Sequence, residues 1–315
     1  MARLFIVTPA GAGTPNGNRH TALRWATLLR AGGHRVRVDV AWRGEPCDAL
    51  IALHARRSHE SIARYGALSK QPLIVALTGT DLYRDLPESA QARRSLALAD
   101  RVIVLQEAAL EALSAPVRRK ARVVYQSADP RLAHRPPKAP FRAAVIAHLR
   151  AEKDPLRAAA ALAHLPGAKL EVVHAGEALD PRLGAQARRW TAREPRYRWL
   201  RGVPHRRALG WIARSHVLVV SSVMEGGANV ICEAARIGTP VLASRVAGNI
   251  GMLGAGYPGY YALGDDAALA RLLARAMQER AFYHELRAAL HERRARFAPM
   301  AERRALHSVV RELLH

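Results

Sequence analysis

The sequence predicts an α/β protein built as two doubly wound, Rossmann-like domains that face each other across a cleft. Three observations predict it. The chain has 315 residues, too many for one ordinary core and suited to two domains of roughly 150 residues each. Short β-branched runs alternate with amphipathic helical stretches, the pattern of parallel βαβ units. A single proline-dense break interrupts that pattern near the middle.

The elements follow in order. A first strand is expected over residues 4–8, then a loop rich in Gly, Pro and Asn over 9–18. A helix from about 20 to 31 stops at Gly32-Gly33, because glycine accepts the left-handed conformation that closes a helix. Further strands are predicted at 35–40, 49–53, 73–77, 101–105 and 122–125, with helical segments between them. Residues 129–140 then carry four prolines, which sustain neither a helix nor a central strand. The boundary is therefore placed there. The first domain spans 1–138, completed by a C-terminal helix at 298–315, and the second spans 139–297. In the second domain strands are expected at 143–147, 169–173, 197–200, 217–221 and 240–243. Helices are expected at 155–165, 181–193, 205–214 and 229–237, and the tail from 265 is helical throughout. Sheets of this kind bind ligands beyond the carboxyl ends of their strands. Two in tandem point to a ligand held between them.

Composition narrows the classes. Half the residues are apolar and charge is not gathered into long runs, so the chain is globular. The apolar run at the start is far too short for a signal-peptide core or a membrane span, and no later run approaches membrane length. Cys47 and Cys232 stand alone, without the spacing of a zinc site or a disulfide framework. The expectation is a cytoplasmic protein without stable membrane insertion. The net charge is +23, from 49 basic and 26 acidic residues. Such an excess suits a nucleic-acid or anionic-membrane binder, or an Arg-rich composition spread over solvated helix faces. The arginine pairs at 56–57, 93–94 and 293–294 are scattered, and no basic stripe is interleaved with aromatics. The second reading is preferred, no nucleic-acid partner is expected, and some of the charge is left to serve an anionic substrate.

Residues 221–244 are the most informative. A strand ends at Ser221, the pair Gly226-Gly227 opens a helix, and Gly238-Thr239-Pro240 leads into the next strand. Two glycines followed by Ala228 let backbone N–H groups approach an anion, and the helix N-terminus adds its dipole. Asn229 and Glu233, four apart, share one helix face. A carboxylate at Glu233 would accept both hydroxyls of a ribose, and Glu225 stands where it would reach the hydroxyls of a sugar.

Glu225 and Glu233, with seven residues between them, form the E-x7-E motif. With its strand, glycine pair and Gly-x-Pro-Val-Leu-Ala-Ser ending, this segment resembles the retaining GT-B glycosyltransferases of family 4. Residues 147–153, Ala-His-Leu-Arg-Ala-Glu-Lys, fall where that family has Gly-Arg-Leu-x-x-x-Lys. The resemblance implies that Lys153 holds the diphosphate of a UDP-sugar. His148 replaces the family's arginine, so Arg150 is the candidate second cation. Gly202-Val203-Pro204 resembles the loop whose backbone reads uracil, and residues 100–110 resemble the closing strand and helix of the first domain. On this resemblance the donor site comprises His148, Arg150, Lys153, Val203, Glu225, Gly226, Gly227, Ala228, Asn229 and Glu233, with Glu225 and Lys153 the candidate catalytic residues. No Asp-x-Asp occurs near a strand end, so neither a metal nor another cofactor is expected.

Within that superfamily the chain is similar to the selenosugar synthases of selenoneine biosynthesis. The segments that carry this are 16–25, 53–58, 77–86, 148–155, 225–229 and 257–260. The similarity implies that selenophosphate attacks C1 of UDP-N-acetylglucosamine, or of a related UDP-hexose, with release of UDP and phosphate. The acceptor candidates are Asn18, Arg19, His54, Arg56, Thr78, Gly79, Thr80 and Asp81, in loops or at strand ends of the first domain. Arginine forks suit a phosphate-like anion. Thr78 takes the place of the histidine in the family's His-Gly-Thr-Asp, which removes a possible base, but selenophosphate is already a strong nucleophile. Read alone, Arg56-Arg57 serves equally as a solvated helix start and His54 as a core histidine. Three alternatives stay open: a glycan, lipid or small-alcohol acceptor, a UDP-sugar sensor without turnover, and a nucleic-acid binder.

Overall fold

The computed structural model describes residues 1–11, 17–79 and 81–314. They fall into two compact units, Met1–Gln126 with Pro299–His315, and Ser127–Ala298.

The first unit is built on strands β1 (Arg3–Val7), β2 (Arg35–Asp39), β3 (Ala49–Leu53), β4 (Leu73–Leu77), β5 (Arg101–Val104) and β6 (Ala121–Val123). They pair in parallel in the order β2-β1-β3-β4-β5-β6. Every residue of β3 and β4 is buried, as expected for central strands covered on both faces. Alternate residues face opposite layers. Phe5, Leu50, Val75 and Val102 belong to one core, while Ile6, Ile51, Ile74 and Ile103 join Trp25, Leu306 and Val309 in the other. The helix Pro299–Arg311 is fixed in that second layer by Glu302, which accepts from Trp25 Nε1 at 2.8 Å and Arg24 Nε at 2.9 Å.

The second unit contains β7 (Phe141–Ile146), β8 (Leu170–Ala175), β9 (Tyr197–Trp199), β10 (Val217–Val220), β11 (Val241–Ser244) and β12 (Tyr260–Tyr261). These are also parallel, in the order β12-β11-β10-β7-β8-β9. The chain runs outward from β7 through β8 and β9, then returns to β10 on the other side. The strand order therefore reverses between β7 and β10, the position where doubly wound sheets open a ligand crevice. In the first unit the reversal falls between β1 and β3.

Three differences from the sequence expectation have physical reasons. The break between units lies at Gln126, not at 138, because residues 127–138 hydrogen-bond into the second unit. Arg135 N donates to Ala213 O at 2.8 Å and Ala128 N to Phe297 O at 3.1 Å, and His134 Nε2 lies 2.9 Å from Ser215 O. The expected helix 155–165 is shorter, Arg157–Ala161 followed by a 3₁₀ turn Leu162–His164. A helix Ala247–Leu253 and the two-residue strand β12 appear where none was expected. Among the described residues no helix is long and apolar enough to cross a membrane.

Candidate active site

The loops leaving β7 and β10 are tied together at the reversal point. Ser221 Oγ donates to the carbonyls of Lys153 and Asp154 at 3.1 and 2.7 Å, and Val223 N donates to Glu152 O at 3.0 Å. This brings Lys153 Nζ onto Glu225 Oε1, which also accepts from Ser222 Oγ at 2.6 Å. The Glu225 side chain is only 7 % exposed, so its charge depends on these two partners. Behind it the helix Ala247–Leu253 closes on the Glu225 backbone. A Cβ at Gly248 would stand 1.9 Å from Glu225 O, which is why a glycine occupies that position.

Beyond Glu225 the chain passes through Gly226, Gly227 and Ala228 into the helix Asn229–Ile237, closed by Gly238 at φ 96°. Ala228 stands outside the helix with extended backbone (φ −81°, ψ 100°) and caps it, its carbonyl accepting from Ile231 N at 2.9 Å. One turn on, Glu233 is 12 % exposed and its Oε1 accepts from His205 Nε2 at 2.7 Å. His205 opens the helix His205–Ala213 directly after Pro204, and half-buried Val203 precedes it. The Glu233 carboxylate draws the His205 imidazole above its ordinary pKa.

The loop after β7 carries His148 and Arg150, the first half-buried and the second exposed. His148 Nδ1 accepts from Glu177 N at 3.1 Å, so its proton sits on Nε2 in the neutral ring. Burial holds its pKa below the usual value, with Arg150 and Lys153 adding to the effect against Glu177. Deeper still, His174 Nε2 donates to Ala147 O at 2.9 Å and Nδ1 accepts from Tyr197 OH at 2.7 Å. Burial pushes His174 down to about 4.

In the first unit Asn18 and Arg19 stand in the opening turn of the helix Gly17–Arg30, after β1. His54 and Arg56 follow β3, while Thr78, Gly79 and Asp81 follow β4. Thr80 lies outside the described residues. The acceptor expectation needs correcting at two of these positions. Asp81 is fully enclosed, and its carboxylate accepts from the backbone N–H groups of Gly79 (2.8 Å), Thr78 (2.9 Å), Ala55 (3.1 Å) and Leu82 (3.2 Å). It ties the β3 and β4 loops instead of presenting itself to a ligand. His54 is buried at a left-handed backbone position (φ 73°), with Asp81 at 3.9 Å and Asp85 at 3.6 Å. Burial lowers the His54 pKa against the pull of Asp81 and raises that of Asp81 against His54 and its N–H donors. Arg56, whose side chain is 43 % exposed, meets Asp85 Oδ2 through Nε at 3.0 Å. That contact is off-axis, since the same oxygen has no aligned hydrogen-bond donor.

Sequence reasoning assigned no role to Ser221, Ser222, His174, His205 or Asp85. Ser221 and Ser222 had a local signal, within four residues of Glu225, and Asp85 lies four residues after Asp81. His174 and His205 come from elements remote in the chain. Among the described residues no group of three or more His, Cys, Asp or Glu side chains is placed to hold a metal ion.

Two parallel α/β units, each with a reversal in strand order, define the GT-B class of fold. Residues 143–279 match the family model described as glycosyl transferases group 1. Over nearly the whole chain the structure is similar to HepE of Anabaena in complex with UDP-glucose, with a TM-score of 0.80 at 16 % identity, covering 99 % of this chain and 100 % of that one. It is equally similar to the sucrose-phosphate synthase of Thermosynechococcus elongatus, with a TM-score of 0.80 at 16 % identity and 99 % of both chains covered. A glycosyltransferase of Rickettsia africae gives 0.76 at 13 % identity, with 99 % and 98 % covered. At such identities the likeness is one of fold. No curated protein matches the sequence.

Proposed function

We propose that this chain is a metal-independent glycosyltransferase whose second unit binds a UDP-sugar and whose first unit binds the acceptor. The observation that carries this reading is the Lys153–Glu225 pair at the strand-order reversal between β7 and β10. The matched stretch 143–279 contains every donor candidate, and the similar HepE structure holds UDP-glucose.

In this reading Glu233 accepts the ribose hydroxyls, and the backbone from Gly226 to Asn229 faces the diphosphate. Lys153 has three donors, so it can keep Glu225 and still meet a phosphate oxygen. Negative charge grows on the diphosphate as the sugar–oxygen bond breaks, and a fixed ammonium there stabilises the transition state more than the ground state. Arg150 and a neutral His148 Nε2–H donor add to it, and the same charge compensation makes a metal unnecessary. Glu225, held by Lys153 and Ser222, orients the sugar hydroxyls.

For the acceptor the proposal is selenophosphate. Its selenium attacks C1 of UDP-N-acetylglucosamine, the C1–O bond to the diphosphate breaks, and UDP leaves. Water then cleaves the selenium–phosphorus bond, giving the selenosugar and phosphate. Arg19 and Arg56 are the cations that would receive this anion. Incubation with UDP-N-acetylglucosamine and selenophosphate, with and without EDTA, followed by mass spectrometry, tests the reading. A selenosugar in both samples is expected. UDP release with another acceptor and none with selenophosphate would remove the selenium half alone. Loss of activity in EDTA, restored by magnesium, would remove metal independence.

A further inference from the structure

The hydrogen bond between His205 and Glu233 joins two helices that begin 24 residues apart, and the donor site as described leaves His205 without a task. The Glu233 side chain is 12 % exposed while that of His205 is 67 % exposed. The carboxylate is thus sheltered and its partner stands toward solvent. A carboxylate has about four lone-pair positions over two oxygens. His205 Nε2 takes one of them on Oε1 at 2.7 Å, and Oε2 accepts from no described residue.

A free glutamate on a helix samples several rotamers, and fixing one on binding costs conformational entropy. An imidazole that already fixes the carboxylate removes much of that cost when a ligand arrives. The carboxylate also raises the His205 pKa, which favours the charged, stronger form of the hydrogen bond.

We propose that His205 is a positioning residue for nucleotide selection: it anchors Oε1 of Glu233 so that the carboxylate meets the vicinal diol of a ribonucleoside diphosphate and discriminates against the 2′-deoxy form. This rests on the donor-site reading above. His205 touches Glu233 and acts through it.

The test is calorimetric titration of wild type, His205→Ala and His205→Gln with UDP and with 2′-deoxy-UDP. Wild type should prefer UDP. His205→Ala should weaken UDP by about five- to tenfold and 2′-deoxy-UDP by clearly less, so that the ratio of the two affinities shrinks. His205→Gln, whose amide N–H can reach the same oxygen, should restore part of the ratio. A purely structural role would weaken both nucleotides equally, and that result, or unchanged affinities, overturns the inference while leaving the donor site standing. Failure of wild type to bind UDP at all would remove the donor reading and this inference with it.

Discussion

Replacing Lys153 with methionine keeps most of the side-chain volume and removes the charge. Two separate losses follow from the structure. Glu225 keeps its 2.6 Å hydrogen bond from Ser222 but loses its only described cation. A fully buried orphan charge costs about 3–5 kcal/mol. Lys153 is itself 20 % exposed, so water relieves part of this, and a loss of about 1–3 kcal/mol in stability is expected. At about 2–4 °C per kcal/mol for units of this size, the melting temperature falls by roughly 2–12 °C. The second loss is in turnover. One charged donor to the leaving diphosphate is worth about 1.5–3 kcal/mol, so kcat falls roughly ten- to a hundredfold with a smaller change in UDP-sugar affinity. Thermal melts, UDP-release kinetics and calorimetry read the three quantities. Adding Glu225→Gln to Lys153→Met should recover part of the stability and none of the turnover, because the orphan charge is gone but the cation is still missing. Normal kcat with a raised KM in the single variant would refute the role given to Lys153. A double variant whose losses simply add would refute the pairing.

Two further outcomes follow from the same geometry. Asp81→Ala leaves the N–H groups of Ala55, Thr78, Gly79 and Leu82 without their acceptor, and should lower stability by about 3 kcal/mol or more, with Asp81→Asn recovering part; an unchanged thermal melt would contradict it. His174 stays neutral in the native chain down to about 4, whereas its ordinary value is 6.5. The unfolded chain therefore binds the extra proton first, and stability declines as pH falls from about 6.5 toward 4. Urea unfolding across that window should show a shallower decline for His174→Gln, and identical slopes would rule the effect out.

Much of this was legible in the sequence because parallel strands buried on both faces read as continuous apolar runs. Ala49–Leu53 and Leu73–Leu77 were placed on their observed bounds. The two-residue strand Tyr260–Tyr261 has no such run. The helix Ala247–Leu253 carries Gly248 and Gly251, each costing a helix about 1 kcal/mol relative to alanine. It forms through tertiary contact, with Gly248 against the Glu225 carbonyl, which local propensity cannot show. The proline-dense stretch signalled a break, but its hydrogen bonds to Ala213 and Ser215 decide to which unit it belongs.

In the site, Glu225 and Glu233 were read from their spacing around a glycine pair and one helix turn, and Lys153 from the resemblance of residues 147–153 to a glycosyltransferase motif. The histidine that meets Glu233 was not. His205 lies 28 residues from Glu233, and only the packed helices bring them together. Asp81 looked like a ligand contact because it follows a strand and a glycine. The enclosed backbone donors around it depend on the path of two loops, which residue type alone does not encode.

The donor site is tested most directly by calorimetric titration of the intact chain with UDP, alongside Glu233→Ala. Wild type should bind one UDP per chain. The variant should lose about ten- to a hundredfold in affinity, because a charged acceptor of the ribose hydroxyls is worth about 1.5–3 kcal/mol. No UDP binding by wild type, or equal affinity in the two proteins, would contradict the donor site assigned to the second unit.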